Sequence, residues 1–371
     1  MRLFKQDQWD RMFSYLPVWF KERGTHTALF MLTTMGLRRV PVVLMQGPTS
    51  PDGRPGTLLT AGNEPWIQYL PNRFFSSEPA RELLATPSFR ELPEFVDRLR
   101  KNVDLTVVRV NRWSGRNLLP HNRLTVPEWV GTKIAVPKDL EPLIRSGNSI
   151  KSDMTLVRRY GYQPVVVSSA AEFEMFYHSV YVPFSRARYG EVAFIRNSHD
   201  LRRRLSSGGI LWVHREGKRA AASLFERKAR TLDLLALGTV NGDHTLVREG
   251  ALAALYYYII KLAQDLGCTT VDLRGNRPSL NDGLVRYKKK WGAALYDMTS
   301  SCYDLLVDWE NPNQVVREFF THTPLIFREN GRLSALAGNE SQKPFPSWIK
   351  GLHQMHLITE SGCRPLQDAA P

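Results

Sequence analysis

Cysteine is scarce in this chain of 371 residues, which holds three, at Cys268, Cys302 and Cys363. Their odd number and wide spacing argue against a disulfide framework. No Cys-x-x-Cys occurs, and no His/Cys grouping has the spacing of a zinc site. No metal is therefore expected, and a reducing cytoplasm suits the thiols, with Cys268 and Cys302 lying in apolar runs of core character. Long hydrophobic runs are also missing: none approaches the ~20 apolar residues that a bilayer span requires. Met12 to Phe20 is short and flanked by Asp10, Arg11, Lys21 and Glu22, which is not the layout of a signal peptide. The expectation is a cytoplasmic, soluble protein with at most peripheral membrane contact. Three catalytic signatures are absent as well: the Gly-x-Ser-x-Gly elbow, the Walker phosphate loop and the His-Glu-x-x-His zinc motif.

What is present is apolar substance and positive charge. Hydrophobic residues make up 43%, enough for a folded protein, and the length suits two units plus an extension. Fifty Lys and Arg against 36 Asp and Glu give a net charge of +14. Such an excess predicts an anionic partner: nucleic acid, acidic lipid head groups, or a phosphate-bearing substrate such as a coenzyme.

Periodicity gives the element order. Residues 1–25 pattern as an amphipathic helix through Phe4, Trp9, Phe13, Leu16 and Phe20. Strands are expected at 40–45, 65–70 and 105–110, with a turn-rich stretch at 47–56 and a Pro-broken helix at 78–101. Residues 111–137 read as a polar crossover in which Trp113, Arg116, His121, Arg123 and Trp129 interleave, and base stacking is an alternative use for them. A helix over 140–159 carries Lys151, Arg158 and Arg159; Lys151 and Arg158 lie seven apart, so both can face one way. The pattern then becomes regular: strand 165–168, helix 170–186 behind a Ser-Ser-Ala-Ala-Glu cap signal, helix 199–206, a three-strand meander at 210–214, 219–226 and 231–237, helix 246–266, and strand 269–274. Two further strands, 294–298 and 303–307, are expected to finish this sheet. Beyond them come a helix at 311–320, a strand at 325–327, and a weakly structured tail from 338.

One stretch stands apart. Val271 to Arg274 is a strand whose end opens into a Gly/Asn/Pro/Ser/Asp loop, followed by a short helix ending on Lys288, Lys289 and Lys290 beside Trp291. A strand end opening into a polar loop is a common ligand position in α/β folds. Asp272 and Arg274 alternate with Val271 and Leu273, so they share the polar face of the strand end. Asp272 could accept a proton or orient an amine, or simply pair with Arg274. Asn276, Asn281 and Asp282 could bind polar groups, and Asp282 could equally cap the helix from Gly283. Tyr287 and Trp291, four apart, are placed to pack inward and anchor the lysines.

Arg274 to Ala293, with its Tyr287-Lys288-Lys289-Lys290-Trp291-Gly292, resembles the C-terminal signature of the FemAB-like branch of the GNAT acyltransferase superfamily, which includes the Fem-type aminoacyltransferases. In that branch an aspartate-ended strand leads into a polar loop and an aromatic-Lys-x-x-aromatic-Gly motif. Ile150 to Tyr162 is similar to the basic helix that opens the second GNAT unit. The resemblance covers roughly 132–308, and the N-terminal third only by position and element order. It implies an α/β fold of tandem GNAT-like units with mixed central sheets: a degenerate unit at 1–137, a regular one at 138–310, and a partly irregular extension at 311–371.

The resemblance further implies an N-acyltransferase that works by direct transfer to an amine acceptor, with Lys288 at the acyl donor; Asp272 is the second catalytic candidate, on its place at the strand end. Arg274, Asn276, Asn281, Asp282, Arg286, Tyr287, Lys290, Trp291, Lys151, Arg158 and Arg159 are then the expected donor- and substrate-binding residues. No tightly bound cofactor is implied, only a co-substrate. GNAT enzymes grip the coenzyme A pyrophosphate with a Gly-rich turn, but the equivalent Gly238 to Thr245 lacks that arrangement and carries Asp243. This departure favours aminoacyl-tRNA, and with it peptide-bond formation, over acyl-CoA as the donor. A non-catalytic RNA- or anion-binding protein is the reading from a different class.

Overall fold

The computed structural model describes residues 39–366, except 63–68, 113–123, 146, 191–192, 194, 299–301 and 339–347. The amphipathic helix at 1–25 and the aromatic and basic residues of 113–123 lie outside the described residues. Of the strand expected at 65–70, only Tyr69 and Leu70 are described, and they form a turn.

Two mixed sheets carry the chain. The first begins with β1 (Val42–Pro48) and β2 (Pro55–Ala61), an antiparallel pair. After α1 (Pro71–Phe74) comes β3 (Ala80–Ala85), which pairs with β1 at the sheet's edge, where a helix was expected. Ala-Arg-Glu-Leu-Leu-Ala has helical composition, and edge pairing overrides that preference. The expected helix survives only as α2 (Leu92–Arg100), and β4 (Leu105–Asn111) follows as anticipated.

The supposed crossover at 111–137 contains two strands, β5 (Leu124–Pro127) and β6 (Val130–Ala135). Both are short and mostly buried, so neither displays the alternation that marks a half-exposed strand. They also part company: β5 joins the first sheet and β6 the second.

The second sheet matches the expected order. The helix expected over 140–159 is broken into α3 (Glu141–Arg145) and α4 (Asn148–Arg159). Then follow β7 (Gln163–Val167) and α5 (Ala170–Phe176), whose N-cap Ser169 accepts from the Glu172 amide at 3.2 Å. A single π-helical turn, Tyr177–Tyr181, joins α5 to α6 (Val182–Tyr189), and α7 (Ser198–Arg202) comes next. The antiparallel meander is β8 (Gly208–Arg215), β9 (Lys218–Lys228) and β10 (Thr231–Thr239). Its first turn uses Glu216 and Gly217, both at positive φ as a tight hairpin requires. The long helix is interrupted: α8 (His244–Arg248) and α9 (Ala251–Asp265) meet at Gly250, φ +92°. A side chain there would also press on Leu156, 2.9 Å away. Finally come β11 (Thr270–Asn276), α10 (Gly283–Lys290) and β12 (Ala294–Asp297). One face of this sheet packs Leu232, Leu234, Val271 and Leu273 against α4 and α9. The other packs Trp212, Leu224 and Leu235 against Phe173, Phe176 and Tyr181.

The remaining strands return to the first sheet, which corrects two expectations. β13 (Tyr303–Asp308) does not finish the second sheet but lies between β4 and β5. The C-terminal segment supplies α11 (Gln314–His322), β14 (Leu325–Glu329), β15 (Arg332–Ala337), β16 (Met355–Thr359) and β17 (Gly362–Pro365), four strands at one end of the ten-stranded sheet. Sheet membership thus crosses the divisions expected at 137 and 310. Among the described residues no helix is long and apolar enough to cross a membrane.

The sheets are tied together by charge. Arg328 of β14 grips Asp297 of β12 through Nε at 2.8 Å and Nη2 at 2.9 Å, and pairs with Asp304 of β13. Burial alone would raise the Asp297 pKa, but Arg328 and Arg112 outweigh it and hold the carboxyl below its ordinary value. Arg328→Met would leave Asp304 without its ion-pair partner and Asp297 with Arg112 alone. The expected loss is about 3–5 kcal/mol of stability, measured by denaturant unfolding at neutral pH. A loss under about 1 kcal/mol would mean that the ion cluster is dispensable.

Candidate functional site

β10 and β11 run parallel but pair over only three residues, Thr231–Asp233 against Thr270–Asp272. Immediately beyond, each strand carries an irregularity against its outer neighbour. Between Leu234 and Ala236, β10 has one extra residue opposite β9; between Asp272 and Gly275, β11 has one extra opposite β6. A bulge bends its strand, so the two strands part company beyond Asp233 and Asp272. Crevices at the carboxyl ends of parallel strands are where such strands present ligands.

The β11 irregularity is built around Arg274, which sits in the left-handed region at φ +63°. That conformation costs a non-glycine residue about 1 kcal/mol or more, and five contacts hold it. The Arg274 amide donates to Asp272 Oδ1 at 2.8 Å, its carbonyl accepts from Thr132 Oγ1 and Asn276 Nδ2, and its guanidinium lies 3.6 Å from Asp233 and 3.7 Å from Asp272. Asp272 also accepts the Tyr296 hydroxyl at 2.8–2.9 Å. Burial and the adjacent carboxylate push Tyr296 far above the usual phenol range, so it remains a donor.

Lys288 enters from α10. Asp282 Oδ1 accepts the Leu284 and Val285 amides at 2.9 and 3.2 Å, which starts that helix and turns Val285 and Lys288 inward. Lys288 is 5% exposed, and its Nζ donates to the Leu273 carbonyl at 2.6 Å, just before β11 bends away. Burial pushes its pKa down to about 7, against the opposing pull of Asp282 and Asp272. No carboxylate among the described residues forms an ion pair with it. A buried ammonium where parallel pairing ends, titrating near neutrality, is the arrangement expected of a catalytic group.

The other sequence candidates divide into those near this point and those engaged elsewhere. Asp272, Arg274 and Lys288 are brought together. Asn276 is fully buried, with Nδ2 spent on Val130 O, Thr132 Oγ1 and Arg274 O, so it braces the bulge and cannot meet a substrate as expected. Asn281 Nδ2 donates to His322 O at 3.1 Å and Asp282 serves as the cap, so both hold the loop in place. Lys290 is ion-paired with Asp153 of α4 and covers the Tyr287 ring at 4.2 Å, so it is not the free cation expected. Trp291 has no exposure and stacks on Tyr256 at 5.9 Å, while Tyr287 meets Tyr256 edge-on at 5.1 Å. Arg286 is exposed, as are Lys151, Arg158 and Arg159 on the solvent side of α4, whose Ile150, Met154 and Val157 face the core.

The turn corresponding to a coenzyme grip is filled by protein. A side chain at Gly238 would lie 2.6 Å from Phe184 Cβ, and one at Gly242 (φ +70°) 2.9 Å from the Pro183 carbonyl. These glycines therefore let α6 pack closely. Asp243 accepts the Thr245 amide at 2.6 Å, capping α8. A cavity of about 500 Å³ lies elsewhere, between α11 and β16–β17, lined by Arg317, Glu318, Thr359 and Arg364. Among the described residues no group of three His, Cys, Asp or Glu side chains could hold a metal ion. Sequence reasoning missed Tyr296 and Asp233, which reach the site through cross-strand register with no local motif to mark them.

No family model matches the chain, and no curated protein is detectably similar to it. Among solved structures the chain is similar to FemX, with TM-score 0.38 and 12% identity over 74% of this chain and 90% of that one. It is similar to L-PGS from Bacillus licheniformis, with TM-score 0.34 and 12% identity over 74% and 86% of the two chains. A GCN5-related N-acetyltransferase from Kribbella flavida gives TM-score 0.25 and 13% identity over 78% and 95%. The fold itself is read from the strand order: two mixed α/β sheets, the second in the β-α-α-β-β-β-α-β order expected of a GNAT-like unit when α5–α6 and α8–α9 are each counted as one interrupted helix.

The Lys288 titration has a consequence for stability. Its folded pKa, about 7, lies below the ordinary 10.5, so between these values the unfolded chain binds the additional proton. Stability contributed by this group therefore rises with pH from about 7 to 10.5 and is lost on going down through that window. Lys288→Met should flatten this slope in urea unfolding titrations at pH 6.5 to 10, without lowering stability at pH 7. An unchanged slope would show that the ammonium is hydrated.

Proposed function

We propose that this chain is an N-acyltransferase that moves an acyl or aminoacyl group from an activated donor directly to an amine. One observation carries the reading: the Lys288 ammonium, buried and without a counter-ion, at the point where β10 and β11 separate. In direct transfer the acceptor nitrogen attacks the donor carbonyl carbon. The C–N bond forms, the carbon–oxygen or carbon–sulfur bond to the carrier breaks, and the amine proton leaves with or toward the carrier. Negative charge develops on the carbonyl oxygen, and a desolvated cation held in advance stabilises it more than water can. Lys288 supplies that cation. Asp272, fixed by Tyr296 and the Arg274 amide, orients the attacking amine. No side-chain nucleophile is required.

The favoured donor is aminoacyl-tRNA. Support comes from the net charge of +14, the exposed Lys151, Arg158 and Arg159 on α4, and the occupation of the coenzyme turn by α6 packing and the Asp243 cap. A tRNA end contributes several phosphate contacts, so binding should weaken steeply with salt, by roughly 0.7 to 0.9 in log K per contact.

Lys288→Met should lower transfer by roughly 10²–10³-fold, the scale of removing one oxyanion donor. If the charged form acts, the wild-type rate falls above an apparent pKa near 7 and the variant lacks that limb. Full activity in Lys288→Met would remove the assignment. The donor is tested by reconstituting tRNA, synthetase, amino acid and a panel of amine acceptors with and without RNase. Transfer that survives complete digestion, or proceeds with acyl-CoA alone, would exclude tRNA. Tight RNA binding without turnover on any donor would make the chain a binding protein instead.

A further inference from the structure

A second polar cluster lies in the loop between β11 and α10, outside the roles assigned above. Arg277 stands with its Cζ 4.2 Å from the Trp129 ring centroid and 5.4 Å from that of Tyr69. Burial pushes its pKa down, so the guanidinium has lost water. The two acids that influence it are committed elsewhere: Glu128 pairs with Arg109 at 3.1 Å, and Asp282 caps α10. Among the described residues no carboxylate forms an ion pair with Arg277. The Tyr69 hydroxyl beside it is buried with no hydrogen-bond partner, and Ser279 lies near without completing a bond. Arg188 of α6 reaches the start of α10, its Nη2 3.9 Å from where a side chain at Gly283 would stand, and its Cζ lies 5.7 Å from the Tyr189 ring centroid.

Aromatic faces replace only part of the hydration that a half-buried guanidinium gives up. The imbalance is relieved by an anion, and a planar guanidinium with a neighbouring hydroxyl donor suits an oxyanion held bidentately. We infer that Arg277, Tyr69 and Arg188 form an anion-binding subsite for a phosphate or carboxylate group of the substrate, next to Lys288. Arg277 and Lys288 lie on the two sides of the Asp282 cap, the first five residues before it and the second six after it. The word "substrate" rests on the acyltransferase reading; the binding itself does not.

The test is calorimetric titration of the full chain with inorganic phosphate, pyrophosphate and glutarate. Tryptophan fluorescence is followed in parallel, in wild type and in Trp129→Phe. Saturable binding of at least one probe is expected, with a fluorescence change lost in Trp129→Phe. Arg277→Met should weaken it at least tenfold, Tyr69→Phe about threefold, and the exposed-turn variant Lys218→Ala should leave it unchanged. Arg277→Lys, which keeps the charge but not the planar fork, covers the case in which Arg277→Met fails to fold and should also weaken binding. Preference for phosphate or pyrophosphate assigns a phosphoryl group, and preference for glutarate assigns a carboxylate. Lack of saturable binding by all three probes, or binding indifferent to Arg277, overturns the subsite while leaving the transferase reading intact. Conversely, Arg277-dependent binding in a chain inactive on every donor retains the subsite and removes that reading.

Discussion

Parallel strands stay paired only while both follow the same course, and here they do so for three residues. Everything proposed for chemistry follows from that short agreement. The bulge in β10 and the left-handed Arg274 in β11 bend the strands at adjacent levels, so neither could straighten without breaking register with its outer neighbour. The Leu273 carbonyl is consequently free to receive the Lys288 ammonium at 2.6 Å, in a place that an unbroken ladder would have occupied. Arg274, Thr132, Asn276 and Tyr296 are best understood as bracing: each spends hydrogen-bonding capacity on keeping β11 bent or Asp272 in place.

The loop beyond β11 has a second support from the other sheet. Leu280 N donates to Pro324 O, Ile326 N donates to Pro278 O, and Leu280 and Val285 share a core with Ile326, Leu333 and Met355. Together with the Arg328 cluster, these bonds make the C-terminal strands a clamp on the loop that carries Arg277 and caps α10. The C-terminal segment is thus a working part of the scaffold and not an appendage to it.

The second sheet was legible because β8, β9 and β10 are apolar runs of eight to eleven residues broken by turn residues, and because its helices carry caps; Ser169, Glu216-Gly217 and Asp282 mark boundaries by local chemistry alone. Lys288 was legible as a motif position, although its burial was not, since the chain places it in a run of three lysines that reads as solvated. The first sheet was obscured for a physical reason. β5 and β6 have four and six residues and are mostly buried, and β3 is exposed at an edge, so neither kind shows a two-residue period. Strand partners remote in sequence, such as β13 with β4, leave no local trace at all.

The position of β13 bears on how the chain is made. β4 ends at Asn111 and its antiparallel partner starts at Tyr303. At bacterial or eukaryotic synthesis rates the roughly 190 intervening residues take about 10–40 s to emerge. Throughout that interval the apolar edge Leu105-Thr106-Val107-Val108 has no strand to meet on that side, while the second sheet, contained almost wholly in the intervening residues, can already fold. Translation therefore favours an order of assembly, later sheet before earlier one, and leaves the β4 edge open to edge-to-edge association in the interval before Tyr303 leaves the ribosome.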